Sequence, residues 1–209
     1  MGLGRSRIAD VIFSGWPHEG ASLFSIQQSG VMFTIFRHPV ERAVSMFYYL
    51  QDAHWEPTYR PGYKNITLAE YARSDQIEDN WMTRILANKM REPLNQNDLT
   101  LAKGIVREKM IVGLTNQIDE SYRRFDKYFG WQSAVQYAKE CRDKYVLNSS
   151  SSGNKHQHQE VEENSLEWSL IMARNTFDFE LYEFARALFH NEQKLMLGDP
   201  KEHSKTINR

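Results

Sequence analysis

The sequence predicts a single α/β domain with a layered core, in which a parallel sheet is flanked by helices. Three short runs are almost continuously apolar rather than alternating, which is typical of parallel strands that are buried on both faces. These runs are Asp10–Phe13, Met32–Phe36 and Met110–Leu114. Longer segments with a helical period lie between and after them, as crossover helices do in layered folds. The length of 209 residues favours one such domain.

The first predicted helices are identified by their starts and by their apolar spacing. Pro39 suits the first turn of a helix that runs to about Gln51, because its missing N–H would have no helical partner there. Thr67 and Glu70 have the spacing of a capping box and predict a short helix. A third helix is predicted by four residues that share one face: Trp81, Met82, Ile85 and Leu86.

Three more helices are predicted in the second half of the chain. Asn97 is expected to cap a helix with one apolar face: Leu99, Ala102, Ile105 and Val106. The next helix ends at Gly130, in the position of a C-cap, and has its own apolar face: Ile118, Tyr122, Phe125 and Phe129. The last runs from about Asp178 to His190.

The domain is expected to cover residues 9–197, between a disordered or truncated start at 1–8 and a polar tail at 198–209. Leu147–Glu163 is rich in Ser, Gln, His and Glu, so we expect an exposed loop there. Neither the loop nor the tail is expected to divide the chain into two domains.

Composition excludes several classes of protein. With 26 basic and 27 acidic residues the net charge is −1, which leaves no broad basic field for a nucleic acid. Any anion must therefore be held by a local site. Cys141 is the only cysteine, which excludes an intrachain disulfide and a four-thiolate metal site. No stretch of this chain approaches the ~20 apolar residues of a membrane span.

The most informative segment runs from Phe33 to Leu50. An apolar strand places Arg37 at its carboxyl end, where ligands bind in open α/β sheets, and the next helix turns its N-terminus to the same crevice. Arginine offers a forked, permanent charge to a phosphate, and Ser45 could add a hydroxyl two turns into the helix. The alternative is an Arg that caps a carbonyl and a Ser that packs within the helix.

This pattern of strand–Arg–x–Pro–x–x–Arg–x–x–Ser, followed by aromatic residues, resembles the donor-binding segment of sulfotransferases that use 3′-phosphoadenosine 5′-phosphosulfate (PAPS). The likeness is to the membrane-anchored Golgi enzymes that sulfate glycans, the heparan sulfate 2-O-sulfotransferase-like family. It implies that Arg37 and Ser45 bind the 3′-phosphate of PAPS and that Arg42 supports the segment from an exposed helix face. Weaker likeness at residues 78–84, 111–115 and 175–185 extends the resemblance to about residues 9–194.

The resemblance also implies a catalytic base, because the acceptor hydroxyl must lose its proton during sulfuryl transfer. In the similar enzymes this base is a His or Glu upstream of the Arg-bearing strand. The matching stretch makes His18 the expected base, with Glu19 in reserve. If the family's position falls on Trp16 instead, the base is absent and His18 is an ordinary exposed loop histidine.

A mobile segment over the nucleotide is implied for the Ser-rich stretch at residues 147–155. Ser149 and Lys155 are therefore expected to contact the donor, although a solvated Ser-rich loop would have the same composition. His156 and His158 have no third partner with metal-ligand spacing, and the family needs no metal in its active site. No metal is expected.

One feature of the family has no counterpart in this sequence. The phosphosulfate-binding loop should follow a strand before Asp10, so its expected place is upstream of Met1. The resemblance thus implies transfer of a sulfuryl group from PAPS to a hydroxyl of a glycan, in the Golgi lumen if a full-length form carries a signal anchor. The low net charge favours a neutral or lightly charged glycan. The alternative is a non-catalytic nucleotide- or glycan-binding remnant.

Overall fold

A computed structural model describes residues 11–25, 30–131, 140 and 160–196. The described part of the chain is mixed α/β, mostly helical, with a two-stranded parallel sheet. Its elements in chain order are α1 (Pro17–Ser22), β1 (Met32–Phe36), α2 (Pro39–Asp52), a 3₁₀ helix (Pro61–Asn65), α3 (Leu68–Arg73), α4 (Trp81–Ala87), α5 (Gln96–Lys109), β2 (Met110–Leu114), a 3₁₀ helix (Thr115–Gln117), α6 (Ile118–Phe129), α7 (Leu166–Arg174) and α8 (Thr176–Met196). None of the helices in these ranges is long and apolar enough to cross a bilayer.

The two strands have the predicted bounds and pair in parallel, with Met32 opposite Met110 and Phe36 opposite Leu114. β2 is almost fully buried, because α5, α6 and α8 pack against it. In β1 only Phe36 is buried, and its other four residues are half-buried. The larger layered sheet that the sequence predicts is not confirmed.

The first predicted strand, Asp10–Phe13, is wrong over its described residues. Val11, Ile12 and Phe13 are irregular, and Asp10 lies outside the described residues. The Phe13 ring lies edge-on to Phe33 of β1, with 6.1 Å between ring centroids, and Phe13 is 85% exposed. The apolar run therefore packs through a side chain and does not add a strand to the sheet.

Several helix boundaries confirm the sequence predictions. Pro39 is in the first turn of α2, which ends at Asp52, one residue beyond the predicted Gln51. The capping box before α3 is present, since the Glu70 N–H donates to Thr67 Oγ1 at 3.2 Å and the Thr67 N–H donates to Glu70 Oε2 at 2.7 Å. The C-cap of α6 is Gly130, whose φ of 63° favours glycine.

One predicted helix cap was wrong, and the last predicted helix was too short. Asn95, not Asn97, caps α5, because the Asn95 side chain accepts from the N–H groups of Asn97 and Asp98. Asp98 returns a bond from Oδ2 to the Asn95 N–H at 2.8 Å, and only Asn95 has an acidic residue three positions later to do so. The last helix, α8, begins before the predicted Asp178 and runs past the predicted end at His190.

Two apolar clusters form the core. One surrounds the sheet and contains most of the predicted apolar faces of α4 and α5, together with residues of α8. Its fully buried members include Leu99, Val106, Val112, Leu181 and Phe189. The other joins α2 to α3 and α7; its fully buried members include Val44, Phe47, Tyr71 and Ile171. The second cluster holds α2, and with it the residues that follow β1, against the rest of the fold.

Helices α4 and α8 cap each other at their N-termini. Asp178 accepts from the Met82 N–H at 2.9 Å and from the Thr83 N–H at 2.7 Å. Asn80 accepts in turn from the N–H groups of Phe177 and Asp178, at 2.8 and 3.1 Å. Burial raises the pKa of Asp178, although the two N–H bonds act in the opposite direction. The segments 78–84 and 175–185, which the sequence analysis singled out separately, are thus in contact.

Candidate functional site

A cavity of about 600 Å³ lies along β1. All five residues of β1 contribute to its wall, together with parts of α1, α4 and the end of α6. Among the described residues that line the cavity, Arg37 and Arg42 are the charged ones, and most of the others are apolar. The cavity thus combines apolar walls with two guanidinium groups, a combination that suits a ligand with an anionic group and a flat apolar part.

Arg37 directly follows β1 and is placed as the sequence predicts, at the carboxyl end of a parallel strand and before the first turn of α2. Its Nε lies 3.6 Å from Oε2 of Glu41, and the two side chains are 31% and 51% exposed. An exposed pair of this kind contributes only about 0–1 kcal/mol. Arg37 can therefore exchange this carboxylate for a ligand anion at little cost.

Ser45 is on α2 but does not line the cavity. Its side chain is half-buried, and its hydroxyl has no hydrogen-bond partner among the described residues. The structure therefore places Arg37 in the cavity wall and Ser45 on the adjoining helix, outside that wall.

Arg42 differs from its expected placement on an exposed helix face, and that prediction was wrong. Its Nη2 donates to Glu78 Oε2 at 2.7 Å, its Cζ lies 4.6 Å from the Trp81 ring centroid, and its side chain is 17% exposed. The ion pair and the aromatic contact draw Arg42 toward α4. Arg42 thus lines the cavity while joining α2 to the segment that carries Glu78.

His18 lies in helix α1, and not in a loop as the alternative interpretation assumed. Its Nε2 is 2.9 Å from the carbonyl oxygen of Leu86, while the residue itself is exposed. Because a carbonyl only accepts, Nε2 carries a hydrogen, and the neutral ring has its accepting lone pair on Nδ1. His18 does not line the cavity, although Pro17, Gly20 and Ala21 of the same helix do. The reserve base Glu19 is also exposed.

His38 lies next to Arg37, beside this site, and was not predicted from the sequence to have a role there. Its Nδ1 accepts from the Val40 N–H at 3.3 Å, so its side chain caps α2. Its ring is stacked on Trp168, with 4.9 Å between centroids, and lies edge-on to Tyr182. Burial lowers the pKa of His38. A polar residue immediately before a helix-starting proline was the available sequence signal, since that is the N-cap position.

The other residues that were predicted to bind PAPS are Ser149 and Lys155, and both lie outside the described residues. His156 and His158 also lie outside them. The described end of the predicted loop, residues 160–163, is irregular. Within the described ranges, no group of three His, Cys, Asp or Glu side chains is arranged to hold a metal ion.

Comparisons with models of protein families, with curated proteins and with solved structures find no match to this chain. Its function is therefore inferred from its residues and their geometry.

Proposed function

We propose that this chain takes part in sulfuryl transfer and that Arg37 binds the 3′-phosphate of the PAPS donor. The observation that supports this proposal most strongly is the placement of Arg37. It follows a parallel strand directly, precedes the first turn of a helix and lines the large cavity. A forked guanidinium in that position is suited to a phosphate, which needs two or more charge-assisted hydrogen bonds.

The surrounding charges fit a phosphate ligand at Arg37 better than at Arg42. Arg42 is held by Glu78 and Trp81, and releasing it would break a 2.7 Å hydrogen bond. Arg37 has only the longer, exposed pair with Glu41. Ser45 lies outside the cavity wall, so we assign it a smaller share of phosphate binding than Arg37. We also propose that the domain has the sulfotransferase fold, with a parallel sheet larger than the two strands described above.

The proposed reaction uses His18 as the base. The oxygen of the acceptor hydroxyl attacks the sulfur of PAPS, and the bond between sulfur and the phosphate oxygen of the donor breaks. The proton of the hydroxyl passes to Nδ1 of His18, the accepting nitrogen of the neutral ring. The products are a sulfate ester and 3′-phosphoadenosine 5′-phosphate (PAP). The resemblance makes a glycan hydroxyl the proposed acceptor and the Golgi lumen the proposed location.

The proposal is tested by the melting temperature in the presence of PAP. Millimolar PAP is expected to raise the melting temperature of the parent chain, and Arg37→Ala should reduce this shift to about the one that adenosine 5′-phosphate gives. Arg107→Ala is the matched control, because Arg107 is an exposed arginine near the end of α5 that pairs with Glu108. An unchanged melting temperature for the parent chain would count against the proposal.

A second candidate function is a binding module that holds the nucleotide without turnover. It is favoured by His18, whose Nε2 is bound to the Leu86 carbonyl and which does not line the cavity. A sulfate-transfer assay on glycan acceptors with labelled PAPS separates the two candidates. If the chain is an enzyme, His18→Ala should slow transfer by about 10²–10⁴-fold and leave PAP affinity unchanged. Binding of PAP without any transfer would support the module.

A further inference from the structure

We propose that His38 is a positioning residue for the anion site: its neutral ring fixes the turn that carries Arg37, and protonation of the ring releases that turn. This inference rests on the proposed function, since it concerns the phosphate that Arg37 would bind. His38 does not line the cavity and is not assigned any contact with the ligand. Its effect would be exerted through the backbone between β1 and α2.

The first step is the helix cap. His38 lies between Arg37 and the first residue of α2, and its Nδ1 accepts from the Val40 N–H. An accepting Nδ1 requires a ring that is neutral and carries its hydrogen on Nε2. The bond fixes the side chain of His38 to the start of α2, so the residue before it is held at a defined angle to the helix.

The second step is the aromatic contact that holds the ring. Trp168 of α7 stacks on the ring at 4.9 Å and 23°. Two residues of α8, Phe179 and Tyr182, lie edge-on to it at 6.0 and 5.2 Å. His38 thus connects the turn after β1 to α7 and α8, the two helices at the other end of the described chain. A change at its ring is transmitted to Arg37 because the two residues are adjacent.

The third step is the response to acid. Protonation puts a hydrogen on Nδ1, which then faces the Val40 N–H and can no longer accept from it. The charged groups that act on the ring come from each element packed against it: Glu41 on α2, Glu183 and Arg186 on α8, and Glu163 before α7. Tyr182 also contacts the ring.

The direction of the pH dependence follows from these groups. Burial lowers the pKa of His38 and is the largest effect, and the positive charge of Arg186 acts in the same direction. The three carboxylates raise the pKa but do not outweigh burial, so the pKa of His38 is lowered from 6.5. The unfolded chain therefore takes up this proton first, and the stability from neutral His38, complete above pH 6.5, is lost as the pH falls toward the folded pKa. Anion binding is expected to weaken over the same range, because the lost cap frees the turn that carries Arg37. The added positive charge acts in the opposite direction, so the test measures which of the two effects is larger.

The test compares PAP affinity at about pH 7.5 with that at the lowest pH at which all three proteins stay folded, because the pKa of His38 lies below the ordinary histidine value. The three proteins are the parent chain, His38→Asn and His38→Ala. Asparagine is a good N-cap that does not titrate, so His38→Asn should keep the parent affinity at the higher pH. The lower pH should weaken PAP binding to the parent about fivefold more than PAP binding to His38→Asn. This factor corresponds to the free energy of one lost helix cap. His38→Ala should be weaker at both pH values.

PAP itself takes up protons in acid, and this changes its affinity for both proteins equally. Dividing the PAP affinity of the parent by that of His38→Asn at the same pH therefore cancels this effect. Equal pH profiles for the parent and His38→Asn, or a parent that gains affinity in acid relative to His38→Asn, would overturn the inference. If the parent binds no PAP at either pH, the proposed function fails and the amide hydrogen exchange of Val40 decides the inference. Loss of Val40 protection in acid in the parent but not in His38→Asn supports it, and equal protection in both overturns it.

Discussion

Glu41 competes with any anion for Arg37. Its Oε2 is 3.6 Å from Arg37 Nε, and it lies four residues further along the chain, at the start of α2. A bound phosphate would have to displace this carboxylate and would be repelled by it afterwards. Arg42, by contrast, keeps its own carboxylate partner, Glu78, in a short and less exposed pair.

We therefore predict that Glu41→Gln strengthens PAP binding by about threefold, because an exposed ion pair is worth about 0–1 kcal/mol. The gain should be measured by calorimetry at low salt, where exposed charges are least screened. Glu108→Gln removes an exposed carboxylate beside Arg107 and is the matched control, which should change nothing. Unchanged or weaker binding by Glu41→Gln would show that this carboxylate does not compete with the ligand.

Residue-scale chemistry was only partly predictable from the sequence. The position of Arg37 could be predicted because β1 must end before Pro39, which starts α2. The end of the strand and the start of the helix are both determined by neighbouring residues in the chain. The contact of Arg42 with Glu78 and Trp81 joins α2 to the segment at the start of α4, and nothing in the local pattern reports such an approach. The exposed placement of Arg42 was implied by the family resemblance, and no local feature of the sequence contradicted it.

At the scale of elements, the packing of α6 on β2 depends on Gly113. A Cβ at this position would lie 2.8 Å from Phe125 Cζ and 3.0 Å from Ser121 Cβ. Ser121 also bonds the strand directly, since its Oγ accepts from the Leu114 N–H at 2.8 Å. The helix is therefore fixed at a distance that leaves no room for a methyl group.

Gly113→Ala is predicted to lower the free energy of unfolding by about 1–3 kcal/mol, because overpacking forces Phe125 and Ser121 away from the strand. Urea denaturation measures the change. Gly104→Ala is the control in α5, where no atom lies within 4 Å of the added Cβ, and it should stabilise the helix by about 0.5–1 kcal/mol. A neutral Gly113→Ala would mean that α6 packs less closely on β2 than described.

Six of the described α-helices and both strands were predictable, because caps, prolines and apolar spacing are local features; α1 and α7 were not predicted. The mutual capping of α4 and α8 was not predictable, since Asn80 and Asp178 are 98 residues apart in the chain. The first predicted strand was wrong for a related reason. A run such as Val11–Phe13 becomes a strand only when a partner edge accepts it, and its sequence does not show whether one does.

At the scale of the whole molecule, a net charge of −1 leaves ligand binding to a few placed groups. Arg37 and Arg42 are the charged residues in the described wall of the cavity, and only Arg37 is free enough to exchange its partner. The central claim is that Arg37 recognises a 3′-phosphate. It can be separated from general nucleotide binding, because adenosine 5′-phosphate differs from PAP only by that group.

The most direct measurement is therefore calorimetric binding of PAP and of adenosine 5′-phosphate to the parent chain, Arg37→Ala and Arg107→Ala. We predict that the parent and Arg107→Ala bind PAP at least about tenfold more tightly than adenosine 5′-phosphate, as charge-assisted hydrogen bonds to a phosphate require. Arg37→Ala should lose most of this preference, since only the smaller share assigned to Ser45 remains. Equal affinities in the parent chain, or a preference for PAP that is unchanged in Arg37→Ala, would contradict the assignment of Arg37.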